Sequence, residues 1–322
     1  MSRLSRSIVA AALLALASVA CAGPDPDQTG APSAPAGAAV NTSPEQNRVR
    51  AEKVDAIAAL VPQPIRERGE LVVGTTGAGN PPLSFRADDD TTVIGAEPDI
   101  AQLVADVLGL ELRLEPTSWE NLFLAIESGQ YDAGFSNITV TEERKDKYDF
   151  ATYRVDTVSF EVRTDSGIER IAEPKDVAGL TISVSSGTNQ EEILLRWDEQ
   201  NRAAGLAPVE FQYYQNVGDY YLALDSGRID AYFGPNPSLA YHAAVSGTTK
   251  IVGSVSGGGD VEADIAAMTR KDNGLVAPLE QALDTVIADG RYAEVLERWK
   301  LTSEAVADSE VNPPGLPRKA AS

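Results

Sequence analysis

Strand-like and helix-like segments alternate along this chain from Leu71 to Trp299, and that alternation most constrains what it can fold into. Leu71–Gly74, Leu112–Pro116 and Ala133–Asn137 are short runs of strand length. Asp99–Leu108 and Trp119–Ser128 lie between them and read as helices. A second set follows, with strands at Thr181–Ser185, Val209–Tyr213 and Ile229–Phe233 and helices between them. Such alternation predicts α/β units built on largely parallel sheets. Thr157–Arg163 (Thr-Val-Ser-Phe-Glu-Val-Arg) alternates with period two and can cross from a first lobe to a second.

The ends of the chain read differently. Arg3 and Arg6 precede an apolar run, Ile8 to Ala17, and small residues lead to Cys21. This predicts a secretory signal peptide over 1–20, too short and wrongly flanked to span a bilayer. Cys21 is the only cysteine, so an intrachain disulfide is excluded. It follows Ser18-Val19-Ala20, similar to a bacterial lipobox except that Ser18 stands where Leu is preferred. The expectation is an exported protein held at the outer face of the cell membrane by lipid on Cys21; the alternative is a cleaved signal beside an incidental cysteine. Residues 21–47, rich in Ala, Pro, Gly, Ser and Thr, read as a disordered tether. Arg48 to Leu60 has roughly helical spacing and is expected to pack on the first lobe. The segment 304–322, with Pro313, Pro314 and Pro317, reads as a disordered tail.

A formal charge of −21 becomes −23 once Arg3 and Arg6 leave with the signal segment. A surface of that sign repels nucleic acid, and no basic patch is visible. With 43% hydrophobic residues over 322 positions, the chain can bury cores for about two domains. No metal cluster, phosphate-binding loop or Ser/His/Asp set stands out, and no cofactor is implied. His242, the single histidine, sits in a helical stretch and reads as structural or exposed.

The densest chemistry lies in Tyr131–Tyr153, which reads as a buried strand, a polar loop and a charged helix start. Ser136, Asn137, Thr139 and Thr141 supply hydrogen-bond donors, and Thr141 before Glu142, Glu143 and Arg144 reads as a helix cap. Arg144 one turn in can hold a carboxylate bidentately beside those donors. Equally, it can pair with Glu142 or Asp146 at the surface.

At these residues the chain resembles bacterial extracellular solute-binding proteins of family 3, the binding components of polar amino-acid ABC importers. The resemblance extends to Arg68-Gly69-Glu70-Leu71-Val72-Val73-Gly74-Thr75, Asn80-Pro81-Pro82-Leu83-Ser84-Phe85 and Ile94-Gly95-Ala96-Glu97-Pro98-Asp99-Ile100. It continues through Trp119–Ala133, Ser186-Gly187-Thr188-Asn189-Gln190-Glu191, Ser226–Ala231 and Asp289–Lys300, in the family's order over roughly residues 65 to 303. It implies a two-lobe, type II periplasmic-binding-protein-like fold with two parallel-sheet lobes and two hinge crossings. Asp264–Arg270 is then the return crossing, with lobe 1 at 48–160 plus 266–303 and lobe 2 at 161–265.

By the same resemblance, Arg144 grips a ligand carboxylate, with Asn137 and Thr139 beside it and Ser136 in the same loop. Trp119 and Asn80 match positions where an aromatic residue often packs on the ligand; with Asn at one of them, Phe85 or Leu83 is a candidate for the missing wall. Thr188 and Asn189 match a loop of the second lobe that closes over the carboxylate, where free N–H groups favour an anion. Pro235 departs from the pattern: amino-acid binders usually carry an Asp there for the ammonium. Another acid (Glu97, Asp219 or Asp260) can replace it, or Trp119, Tyr232 or Phe233 can hold a cation on an aromatic face, or the ligand is not a plain α-amino acid. Tyr213, Tyr214, Tyr220 and Tyr221 are alternatively a cage or core packing. The implied function is capture of a small carboxylate-bearing solute for an ABC permease, without enzymatic turnover. A cyclohexadienyl-dehydratase-like enzyme and a periplasmic sensor adaptor are the alternatives on this scaffold.

Overall fold

The computed structural model describes residues 40–76, 80–214 and 216–318. The signal segment, Cys21 and the tether up to Ala39 lie outside the described residues. In chain order the strands are β1 (Glu70–Thr75), β2 (Phe85–Arg86), β3 (Val93–Ile94), β4 (Glu111–Pro116), β5 (Ala133–Gly134), β6 (Tyr148–Val155), β7 (Thr157–Arg163), β8 (Thr181–Ser183), β9 (Glu210–Gln212), β10 (Ala231–Pro235), β11 (Thr249–Ser256) and β12 (Asp264–Arg270). The helices are α1 (Asp55–Ala58), α2 (Gln63–Arg68), α3 (Ala96–Leu108), α4 (Trp119–Ser128), α5 (Asn189–Ala203), α6 (Val217–Asp225), α7 (Asn236–Ser246), α8 (Val276–Ala288) and α9 (Arg291–Arg298).

Two five-stranded sheets form, in the orders β4-β1-β5-β12-β6 and β11-β7-β10-β8-β9. Within the first, β4, β1 and β5 are parallel, but β12 runs antiparallel to both β5 and β6. Within the second, β9, β8 and β10 are parallel and β7 is antiparallel to β10 and β11. The sheets are therefore mixed, not parallel throughout. The connectivity requires it: β6 leaves the first lobe through the hinge and β12 returns through it, so these neighbours must point in opposite directions, as must β7 and β11.

The strands also fix the lobe boundary. Asp156 is the single residue between β6 and β7, and residues 257–263 join β11 to β12. Thr157–Arg163 and Asp264–Arg270 are thus sheet strands of lobes 2 and 1 rather than the crossings themselves. Lobe 1 packs α3, α8 and α9 on one sheet face, around Leu71, Val73, Leu103, Leu279, Leu283 and Trp299, and α4 on the other. Lobe 2 has its own core around Phe160, Ile182, Ile193 and Phe233.

Two terminal expectations are corrected. Residues 48–54 carry no helix; only Asp55–Ala58 is helical. The segment instead lies extended along α3, with Arg48 Nε 3.0 Å from Asp99, Arg50 bidentate to Asp106, and Val54 N donating to Val107 O. These bonds satisfy the segment's polar groups on its neighbour, which an isolated helix would have done internally. Residues 304–318, read as a disordered tail, are ordered and run along β6, the edge strand of the first sheet. Thr152 N donates to Glu310 O and Asn312 N to Phe150 O. Prolines exclude a central strand but not an extended segment on a sheet edge.

Candidate functional site

A cavity of 620 Å³ opens between the lobes. Lobe 1 contributes Thr76, Asn80, Arg86, Trp119, Glu120, Ser136 and Asn137; lobe 2 contributes Thr188, Asn189, Tyr214, Tyr220, Tyr232, Phe233 and Pro235. The α/β pattern explains the placement of Thr76, Asn80, Ser136, Asn137, Thr188 and Tyr214, which sit in loops at strand ends, where such folds gather their sites. Seven of the ten residues singled out from sequence line this cavity: Asn80, Trp119, Ser136, Asn137, Thr188, Asn189 and Phe233. Phe85, Thr139 and Arg144 are not among its lining residues.

Phe85 is a core residue, packed edge-on against Trp299 with ring centroids 5.9 Å apart. Thr139 donates its hydroxyl to Asp156 Oδ2 at 2.7 Å. Arg144 lies against both Trp119 and Phe123, its guanidinium carbon 5.3 Å from each ring centroid. Its Nη1 donates to Thr139 O at 2.7 Å and its Nη2 to Gly187 O at 3.3 Å, so it spans the two lobes through backbone carbonyls. Burial brings its pKa down to about 10, partly offset by Glu192, Asp156 and Glu143; it stays charged at neutral pH. The expected helix after Thr141 is a single 3₁₀ turn, Arg144–Asp146, although Thr141 Oγ1 does accept from Arg144 N at 3.0 Å.

Neutral donors furnish much of the cavity wall. Ser136 Oγ accepts from Thr76 N at 3.0 Å and lies 2.7 Å from Thr76 Oγ1, which ties the two strand ends together. Asn137 adopts φ 50°, a left-handed conformation that Asn tolerates. Its Oδ1 accepts from Arg154 at 2.6 Å, leaving its amide N–H groups to offer the cleft. Opposite, Thr188 caps α5 by accepting from Glu191 N, and Glu191 reaches back to Gly187 N at 2.7 Å. The positive end of a 15-residue helix therefore faces the interlobe space.

Sequence reasoning missed the charged groups behind this wall. Arg154, fully buried, is held by Glu97 at 2.9 Å and by Glu304, and Tyr153 donates to Glu97. Burial alone would lower the Arg154 pKa, but the two carboxylates outweigh it and raise it. Asp156, in the hinge, accepts from Thr139 Oγ1 and from Asn189 Nδ2 at 2.9 Å; Asn189 also donates to Gly257 O at 2.7 Å. Burial pushes the Asp156 carboxyl up to about 6, with Glu304 adding to the rise. These partners lie far apart in the chain, so no local pattern announces them.

None of the acids considered as substitutes at Pro235 reaches the cavity wall. Glu97 is committed to Arg154 and Tyr153, Asp219 accepts from Asn216, and Asp260 is exposed in the second crossing. Among the described residues, the acid lining the cavity is Glu120, beside Trp119 at the start of α4. The tyrosines divide: Tyr214 and Tyr220 line the cavity, with Tyr220 stacked on Tyr232 at 3.9 Å. Tyr213 stacks on Phe211, and Tyr221 stacks on His242, which pairs with buried Glu161 in lobe 2 at 2.5 Å.

This architecture agrees with what the chain is similar to. It is 32% identical over 238 residues to the L-cystine-binding protein TcyJ of Escherichia coli (strain K12), spanning 73% of this chain and 84% of that protein. To the arginine-binding protein ArgT of Corynebacterium glutamicum it is 27% identical over 263 residues, 81% of this chain and 84% of the relative. The crystal structure of an ancestral amino-acid-binding protein, a precursor of cyclohexadienyl dehydratase, superposes with a TM-score of 0.64 at 25% identity, covering 75% of this chain and 99% of that one. Residues 71–302 match the sequence profile of the bacterial extracellular solute-binding proteins, family 3, and with two mixed α/β lobes around a shared cleft the chain belongs to that family.

Proposed function

We propose that this protein is the extracytoplasmic binding component of an ABC importer and captures a small amino-acid-like carboxylate by closing its lobes. The observation that carries the reading is the composition of the interlobe cavity: hydrogen-bond donors from both lobes, the N-terminus of α5, and aromatic faces around 620 Å³. A carboxylate gains most where several fixed donors converge away from water. Arg144 would supply the charge by trading its bond to Gly187 O for the ligand's oxygens. Arginine suits this role because its planar fork meets a carboxylate bidentately.

With Pro235 at the position where amino-acid binders usually carry an Asp, the ammonium partner must lie elsewhere. Glu120 is the acid of the cavity wall, and the rings of Trp119, Tyr220 and Phe233 add cation–π attraction of about 0.5–2 kcal/mol. An ammonium buried without either would cost several kcal/mol. The named relatives bind cystine and arginine, both α-amino acids with polar distal ends, and amino acids of that kind are our candidates. Lipid on Cys21 would hold the domain near its permease; Cys21→Ser is then expected to move the protein from the membrane to the soluble fraction on cell fractionation.

Isothermal titration with L-cystine, L-arginine, glycine betaine and acetate tests the reading. Saturable binding of an amino acid, recovered unchanged after incubation, supports it. Binding of none of them, or recovery of a dehydrated or decarboxylated product, would overturn it.

A further inference from the structure

We infer that residues 304–318 form a strap that sets the hinge, with Glu304 and Leu316 as positioning residues for lobe closure. The strap begins just past residue 302, where the match to the family profile ends. Its first anchor is Glu304, 1% exposed. That one carboxylate accepts from Arg154, next to the end of β6, and from Thr157 Oγ1, the first residue of β7. It therefore ties the two residues that flank the hinge residue Asp156 almost directly. Because Thr157 belongs to the sheet of lobe 2, this hydrogen bond exists only for a lobe orientation close to the present one.

The far end of the strap makes a second such contact. Leu316 N donates to Val140 O at 3.0 Å and Glu142 N to Leu316 O at 2.8 Å, binding the strap to the segment that carries Thr139 and Arg144. Gly315 N donates to Glu142 Oε1, Lys145 Nζ to Pro313 O, and Arg318 pairs bidentately with Asp146 at 2.6 Å. The Leu316 side chain meanwhile lies against Gly258 of the second crossing, where a Cβ would come within 2.8 Å of its Cδ2. One element thus touches both crossings and the Arg144 segment.

A contact shifts a two-state equilibrium only by what it contributes differently to the two states. Most of the strap's bonds are internal to lobe 1 and contribute alike whether the lobes are open or closed. Its contacts at Thr157 and Gly258 reach across the hinge, so they favour the present orientation. Pro313, Pro314 and Pro317 restrict the strap when it is unfolded as well, which lowers the entropic cost of holding it in place. The inference deepens the solute-binding reading and rests on lobe closure, so its test uses no ligand.

The test compares small-angle X-ray scattering of the unliganded protein with that of Thr157→Val, Leu316→Ala and the double variant. Thr157→Val removes the hydroxyl that reaches Glu304 and leaves the Glu304–Arg154 pair intact. Leu316→Ala removes the side chain against Gly258 and leaves the backbone bonds. Each is expected to enlarge the radius of gyration while melting stays cooperative, with the open fraction rising about fivefold per contact, the factor one ordinary hydrogen bond supplies. A double variant with the parent's radius overturns the inference, and should Leu316→Ala fail to fold, an unchanged radius for Thr157→Val alone does so. Failure of the solute-binding reading would appear instead as no response of the parent to any solute.

Discussion

Arg144 donates to carbonyls of two different lobes and lies against two rings. Its type and its loop were legible in the sequence; its reach to Gly187, in another lobe, was not, because hinge geometry decides which loops face each other. Arg144→Ala should lower solute affinity about thirtyfold or more, since a desolvated charge-assisted pair contributes about 2–5 kcal/mol. Its far-ultraviolet circular dichroism should stay that of the parent, and calorimetry with undiminished affinity would remove Arg144 from the site. Glu120→Gln should weaken an ammonium-bearing ligand about tenfold or more and leave a plain carboxylate unaffected, as a competition titration would resolve. Asp156 carries a separate pH signature. Its carboxyl is raised from 3.8 to about 6 by burial, so between those values the folded protein binds more protons than the unfolded chain. Its contribution therefore grows as pH falls through 6 and is complete below about 4; at neutral pH the charged form costs up to about 3 kcal/mol. Asp156→Asn keeps an acceptor for Thr139 and Asn189 without the charge. In urea denaturation its stability relative to the parent should be near zero at pH 4 and increase by about 2–3 kcal/mol toward pH 7.

At the scale of elements, β1, α3 and α4 were legible locally, but the helices expected over Arg48–Leu60 and after Thr141 shrink to Asp55–Ala58 and a single 3₁₀ turn, and the features that depend on assembly were not legible. The β1 run and the α3 and α4 stretches follow from apolar spacing and from glycines that stop the helices, Gly109 and Gly129 both being left-handed. The antiparallel members of each sheet follow from the chain entering and leaving through one hinge, which no periodicity encodes. The strap was misread for a different reason: its composition, rich in proline and poor in bulky apolar residues, resembles that of an unstructured tail, yet its polar groups are satisfied by the open edge of β6 and by buried Arg154. Gly95, by contrast, is a local signal with a measurable consequence. Its φ is 133° and a Cβ there would lie 2.2 Å from Leu83 O, where β3 turns into α3 beside the Asn80–Phe85 loop. Gly95→Ala should destabilise the protein by about 2–4 kcal/mol, read as a lower urea midpoint with an unchanged slope.

For the molecule as a whole, the two lobes have separate cores, and lobe 2 is inserted as one continuous stretch between two segments of lobe 1. Among the described residues, contacts across the cleft outside the hinge include Arg144 with Gly187 O and with the charge of Glu192, and Phe85 beside Tyr241 at 6.4 Å. A solute held by both walls would add to that interlobe coupling, and it binds the folded state alone. At a hundred times its dissociation constant such a ligand stabilises by about 2.7 kcal/mol. For a folded body of this size, each kcal/mol moves the melting temperature by about 2–4 °C. The right solute should then raise the midpoint by about 5–10 °C, with a further rise of about half that amount for each additional tenfold in concentration. Arg144→Ala, melted at the same solute concentration, should show a much smaller rise. If instead the variant and the parent shift together, the solute is held elsewhere than between the lobes.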